Sequence, residues 1–349
     1  MDMSKVKPKM RAAQLHGPRS VCIEEVPTPV PEEGEVLVRV ERCGICPSDV
    51  RAYEGQFRSA PEYPMVTGHE WSGEVVALGE GAGGVKVSQR VAVDWHGPCG
   101  RCYYCRRGFP NYCEDLQRRQ GGFASYCLAR ASGIHVLPDG VTADEAAFCE
   151  PLACCLNGIE TLRLEVGDNV AVVGCGPIGL MHVQLARARG ARVVAVDILP
   201  DRLETARRLG AQDVVLASNG DPVKEVRTLT GGRGANGVVL TVGDPIAVGQ
   251  AVGMAAPTGT VNVFAGFYPD GVAPFDFNLI HYRQLTITGS HNFLPRHFDA
   301  ALNAIEHRAV DVKSLISQVL PLEEIERGLD LVATRKGLKI LIAPNGLSG

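Results

Sequence analysis

No apolar run reaches the ~18 residues that a membrane span requires, and the opening stretch MDMSKVKPKMRAAQL lacks the apolar core of ~7–15 residues that a secretory leader needs. The expectation is a cytosolic protein. An excess of either charge is missing as well. The 35 Lys and Arg residues nearly balance the 39 Asp and Glu, for a formal net charge of −4, so nothing general attracts the chain to phosphate backbones or anionic lipid. Neither nucleic acid nor a membrane is expected as a partner. Internal repeats and low-complexity segments are absent too, and a 45% hydrophobic, 21% charged composition is that of an ordinary globular protein with a large core. At 349 residues the chain exceeds a single core, which stops growing near ~250–300 residues, so about two domains with a cleft are expected.

Cysteine, by contrast, is plentiful, with twelve in all. In a reducing compartment these read as thiols or metal ligands rather than disulfides. Cys99, Cys102, Cys105 and Cys113, in PCGRCYYCRRGFPNYC, have the spacing C-x2-C-x2-C-x7-C, which lets one loop wrap a tetrahedral ion with sulfur on all four corners. A closed shell has no open position for a substrate. The expected metal is therefore structural zinc, stapling a lobe at residues 95–115. A nucleic-acid zinc ribbon would separate two C-x2-C pairs by ~15–20 residues. An iron–sulfur cluster has the right cysteine count, but nothing else in the chain points to electron transfer. Arg101, Arg106, Arg107, Arg118 and Arg119 around the cluster read as a solvated loop face.

A second set is dispersed. Cys46 in CGICPSD, His69 in GHE and Glu150 in CEPL would supply one sulfur, one imidazole and one carboxylate, leaving a fourth position open. That is the ligand count of a catalytic zinc. Singly, each reads as a core thiol, a hydrogen-bonded histidine or a solvated acid, and the combination carries the information.

Residues of about 10–155 form short apolar runs broken by Gly and Pro, a pattern of many strands and an all-β, barrel-like lobe. Near Asn157 the texture changes to strand, glycine turn, helix and strand, which predicts a βαβ unit and a parallel, doubly wound sheet over 158–290. Gly174, Gly176 and Gly179 form G-x-G-x-x-G, enclosing Pro177 and Ile178, directly after the strand NVAVVG. The glycines suit a tight turn, close approach of a pyrophosphate and helix–strand packing, while the helix N-terminus offers partial positive charge. Asp197 follows at the end of the second strand, where a carboxylate accepts the ribose hydroxyls and repels a 2′-phosphate. NAD is expected over NADP, with Arg202 the nearby counterweight. Val242, near the end of GVVLTVG, completes the candidate cofactor contacts.

These motifs together carry a resemblance. Gly68-His69-Glu70 with Gly73, Gly79 and Ala82 in GHEWSGEVVALGEGA, the four-cysteine lobe and the glycine turn, in that order, resemble the zinc-containing medium-chain alcohol dehydrogenases over nearly the whole chain. The resemblance implies a GroES-like catalytic domain at 1–157, an NAD-binding Rossmann domain at 158–290 and a return to the catalytic domain over 291–349. It selects Cys46 over Cys43 as the zinc ligand, and Glu150 of CEPL resembles the sorbitol and threonine dehydrogenase branch. By the same resemblance Ser48 takes the alcohol proton, Asp49 orients His69, and Glu70 either binds the catalytic zinc or stands behind it. Two zinc ions per chain, one catalytic and one structural, and a homotetramer rather than a dimer are implied.

Arg51 departs from the pattern, standing where many relatives carry a relay histidine. An arginine cannot serve as a base, which leaves an exit for the proton through water and Glu70, or a role for Arg51 in holding an anionic group. The stretch ITGSHNF, 287–293, corresponds to the family segment that passes the nicotinamide into the substrate pocket. His291 and Asn292 there favour a hydroxylated substrate over ethanol but differ from the arginine and tyrosine of animal sorbitol dehydrogenases. His281 and Tyr282 resemble bacterial polyol and cyclitol enzymes. The expected activity is hydride transfer from a secondary alcohol of a polyol, cyclitol or aminocyclitol to NAD. The rivals are L-threonine 3-dehydrogenase and a non-catalytic, zinc-stabilised binding protein.

Overall fold

The structure is a computed structural model describing residues 3, 6–57, 61–268 and 271–347. The strands used below are, in chain order, β1 (Glu35–Gly44), β2 (Glu70–Leu78), β3 (Arg90–Val93), β4 (Tyr126–Arg130), β5 (Ile134–Val136), β6 (Asn169–Val173), β7 (Arg192–Asp197), β8 (Asp213–Leu216), β9 (Ala235–Leu240), β10 (Ala255–Val263), β11 (Thr286–Gly289), β12 (Ile316–Pro321) and β13 (Lys339–Ala343). The helices are α1 (Pro47–Tyr53), α2 (Cys149–Glu160), α3 (Pro177–Ala188), α4 (Pro200–Arg208) and α5 (Phe277–Arg283).

Two compact units result. One comprises Met1–Pro151, Leu294–Glu306 and Val312–Gly349, the other Leu152–Phe293 and His307–Asp311. The first is built on a seven-stranded sheet in the order β12-β13-β1-β2-β3-β5, with β4 also paired to β1. Its core gathers Val36, Val38 and Val40 of β1, Trp71 of β2 and Ile340 of β13, with Phe123 from the segment before β4. The second has a six-stranded parallel sheet in the order β8-β7-β6-β9-β10-β11, the doubly wound arrangement whose order reverses between β6 and β9. The near-continuous apolar run of β6, NVAVV, is buried beyond its first residue, as a strand covered on both faces must be.

The two compact units divide at 151/152 and 293/294, against the 157/158 and 290/291 expected from sequence, and α2, Cys149–Glu160, runs across both 151/152 and 157/158. The tail also does not return whole to the first unit. Residues 307–311 stay with the second unit, where Gln184 of α3 donates to the Asp311 carbonyl at 3.2 Å and accepts its N–H at 2.6 Å. Among the described residues no helix is long and apolar enough to cross a membrane.

Candidate active site

Cys46 stands at the N-cap of α1 in an extended conformation, with Pro47 opening the helix. Three residues on, Asp49 reaches back so that its Oδ2 accepts the Cys46 N–H at 2.9 Å. The other oxygen, Oδ1, accepts the Gly68 N–H at 3.2 Å and lies 3.8 Å from His69 Nδ1. One buried carboxylate thus ties the segment bearing Cys46 to the segment bearing His69. Burial pushes the Asp49 carboxyl above its ordinary value, against the opposing pull of His69. Burial would lower His69, but the Asp49 charge, with Cys46 and Glu150, outweighs it and holds the imidazole well above its usual range.

Glu70 opens β2 directly opposite Gly44 of β1. Any Cβ on Gly44 would run into the Glu70 carboxylate, so this position needs glycine. Glu70 Oε2 is ion-paired with Lys339, the first residue of β13, and both side chains are buried. Lys339 Nζ also donates to the Ile45 carbonyl at 3.3 Å. One donor atom each from Cys46, His69 and Glu70 lie within 4.8 Å of one another. Sulfur, imidazole nitrogen and carboxylate oxygen in this arrangement suit a divalent ion with a position left open.

Glu150 falls outside that group. Its Oε1 accepts the indole N–H of Trp95 at 3.2 Å, and burial raises its carboxyl. Trp95 in turn stacks on His96 with ring centroids 3.6 Å apart and meets the His69 ring edge-on at 6.0 Å. The trio expected as Cys46, His69 and Glu150 is therefore gathered as Cys46, His69 and Glu70, with Glu150 alongside. Ser48 and Arg51 lie on α1, both partly exposed.

The four-cysteine lobe also closes on itself, and donor atoms of Cys99, Cys102, Cys105 and Cys113 lie within 4.8 Å of one another. The Cys99 N–H points at Cys113 Sγ, 3.2 Å away, and the Cys102 N–H at Cys99 Sγ, 3.4 Å away. Backbone donors from Cys105 and Glu114 pull the Cys102 thiol down to about 6, while burial and the side chains of Cys102 and Cys113 push the Cys105 thiol up to about 12.

In the second unit, the three glycines of the turn behave differently. Gly174 has φ +94°, and a Cβ there would strike Val242 at 2.5 Å and Thr241 at 2.6 Å. A Cβ on Gly179 would strike the Gly174 carbonyl, whereas one on Gly176 would meet nothing within 4 Å. A tight turn, a close helix–strand approach and an open face at the head of α3 are the three things a bound pyrophosphate asks of this loop. Pro177 and Ile178 form the first turn of α3. Asp197 ends β7, where its Oδ2 accepts the Cys175 N–H at 2.6 Å and its Oδ1 the Leu199 N–H at 2.9 Å. Arg202 is buried on α4. His291 is exposed and Asn292 takes the left-handed conformation, φ +52°, just beyond β11. His281 and Tyr282 are exposed on α5.

Two family descriptions match the chain, the alcohol dehydrogenase GroES-like domain over residues 32–139 and the zinc-binding dehydrogenase over 177–307. Among curated proteins, an erythritol/L-threitol dehydrogenase of Mycolicibacterium smegmatis is 34% identical, over 98% of this chain and 99% of its own. An L-threonine 3-dehydrogenase of Bacillus licheniformis is 35% identical over 94% of this chain and 96% of its own. A solved zinc-binding dehydrogenase of Sinorhizobium meliloti, bound to NADP, superposes with a TM-score of 0.91 at 31% identity, covering 97% of this chain and 100% of that one. The chain belongs to the zinc-containing medium-chain alcohol dehydrogenases. It is an oxidoreductase, with the GroES-like and Rossmann folds of that family.

Three residues of this dehydrogenase escape a reading of the sequence. Lys339 sits in KILIA, an apolar strand like any other, and its partner Glu70 is 269 positions away. Trp95 and Asn157 carry no motif at all. The faint signal for Lys339 is a cation at the head of a strand buried at every position.

Proposed function

We propose that the chain is a zinc- and NAD-dependent dehydrogenase oxidising a secondary alcohol of a polyol, cyclitol or aminocyclitol. The observation that carries this reading is the convergence of Cys46, His69 and Glu70, which fits an ion with an open coordination position. When bound, that ion would act as a Lewis acid toward the alcohol oxygen while the nicotinamide takes the hydride. Around it, Asp49 would orient His69, Lys339 would hold Glu70, and Trp95 would hold Glu150. Ser48, in the first turn of α1, would take the alcohol proton. Arg51 is permanently charged and would move no proton.

The four clustered cysteines support a second, structural zinc with no open position. The Asp197 carboxylate at the end of β7 supports NAD, since its charge, fixed by two backbone N–H groups, opposes a 2′-phosphate. Arg202, buried on α4, keeps its charge near the turn and is the counterweight to this preference. A homo-oligomer is supported by the free edge of β11 and by the exposed Phe277, Tyr282 and Val272 near it in sequence.

The test is a substrate panel with NAD containing sorbitol, xylitol, inositols, aminocyclitols and L-threonine. Preferential oxidation of a polyol or cyclitol supports the proposal. Selective oxidation of threonine would make the chain an L-threonine 3-dehydrogenase, the activity named for the Bacillus licheniformis relative. No NAD reduction on any alcohol, with about one zinc per chain, would point to a non-catalytic binding protein.

A further inference from the structure

The ligand face of a doubly wound sheet lies at the carboxyl ends of its strands, with the two halves of a dinucleotide on either side of the point where strand order reverses. Here that point lies between β6 and β9. The glycine turn and Asp197 belong to β6 and β7, the adenosine half. The nicotinamide half then falls to β9, β10 and β11, and the segment leaving the carboxyl end of β11 is Ser290-His291-Asn292.

That segment is held from behind. Asn157, on α2, donates its Nδ2 to the Asn292 carbonyl at 2.8 Å and to the His291 carbonyl at 3.4 Å. Two residues earlier, the buried Asn262 of β10 shares a hydrogen bond with Ser290 Oγ at 3.4 Å and donates to Thr161 Oγ1, on the turn after α2, at 2.9 Å. Both carbonyls held by Asn157 flank Asn292, whose φ of +52° is a conformation that an L residue adopts at a cost. Asparagine tolerates it better than most, but without an anchor the segment has extended alternatives.

We propose that Asn157 is a positioning residue for the nicotinamide half of the cofactor. By capturing the carbonyls of His291 and Asn292 it pins the segment after β11 in its left-handed turn, and so fixes the floor on which the nicotinamide must sit. This rests on the dehydrogenase reading above and adds a residue to it.

The test uses the full chain and two ligands, NADH and ADP-ribose, which lacks the nicotinamide. Asn157→Asp keeps the size and shape of the side chain and turns its donor into an acceptor that faces two carbonyls. Loss of such a bond is expected to weaken NADH binding by about tenfold or more, read by nicotinamide fluorescence, while ADP-ribose affinity stays within about twofold. The KM for NAD should rise more than kcat falls, and amide exchange should quicken over 289–293. Asn292→Val attacks the same turn from the backbone, because a β-branched residue resists positive φ; it should reproduce the NADH loss and spare ADP-ribose, and it decides the matter if the Asn157→Asp variant does not fold. Unchanged NADH affinity in both variants, or equal loss of NADH and ADP-ribose, would overturn the proposal. Failure of the wild-type chain to bind either ligand would instead overturn the dehydrogenase reading on which it rests.

Discussion

A buried ammonium without a counter-charge is among the costliest things a core can hold, and Lys339 avoids that cost through Glu70 and the Ile45 carbonyl. Burial alone would lower its pKa, and the Glu70 carboxylate reverses the sign, so Lys339 is held above its ordinary value and keeps its proton. Lys339→Met would strand the Glu70 charge. Urea unfolding of chelator-treated protein is expected to show a loss of about 3–5 kcal/mol. Added zinc should shrink that deficit, since an ion at the trio supplies the missing positive charge; an undiminished deficit would mean that Glu70 faces no metal. At this scale the sequence was informative where chemistry repeats in a motif. The four clustered cysteines announce themselves by spacing, whereas Cys46 and His69 stand out through their combination with Glu150 and the family resemblance. Glu150 is expected at the metal, and what the sequence does not show is the hydrogen bond it accepts from Trp95, a residue whose side chain belongs to no pattern.

Within single elements, the glycine turn makes a sharper distinction than the motif that names it. The same methyl group should have different consequences for stability at two of its positions. Gly176→Ala meets open space, so stability should change by less than about 1 kcal/mol while NADH binding weakens, the added carbon occupying the path of the pyrophosphate. Gly179→Ala collides with the Gly174 carbonyl and should lose about 1–3 kcal/mol of stability as well as NADH affinity. Thermal unfolding and fluorescence titration of both variants check the pair, and equal destabilisation would contradict this account of the turn. Strand and helix types were legible from periodicity, as NVAVV shows. Boundaries were less so, since the two units divide inside α2 and Gln184 retains residues 307–311 through a contact 127 positions long.

For the molecule as a whole, stability should depend on pH through a residue to which the account assigns no role in binding or chemistry. His182 of α3 is fully buried against Phe264, and neither ring nitrogen has a hydrogen-bond partner among the described residues. Burial, with the nearby Arg189, pushes its pKa down to about 3. An unfolded histidine titrates near ~6.5. Above that value both states are neutral and the full stability is present. Between it and about 3 the unfolded chain takes up a proton that the folded chain refuses, so stability falls as the pH drops. At pH 5 the loss from this one group is roughly 2 kcal/mol. His182→Leu should flatten the acid limb of the stability profile between pH 6.5 and 4, measured by denaturant unfolding; an unchanged slope would mean that the ring finds a partner or water. The two-unit organisation was readable from length and texture, whereas Lys339, Trp95 and Asn157 became visible once distant segments met.

The central claim is a divalent ion bound by Cys46, His69 and Glu70. Crystals of zinc-loaded protein, measured on both sides of the zinc absorption edge, test it most directly. The account predicts an anomalous peak about 2.0–2.3 Å from Cys46 Sγ, a His69 ring nitrogen and a Glu70 oxygen, separate from the peak among Cys99, Cys102, Cys105 and Cys113. Density confined to the four-cysteine lobe, with none among the trio, would contradict it.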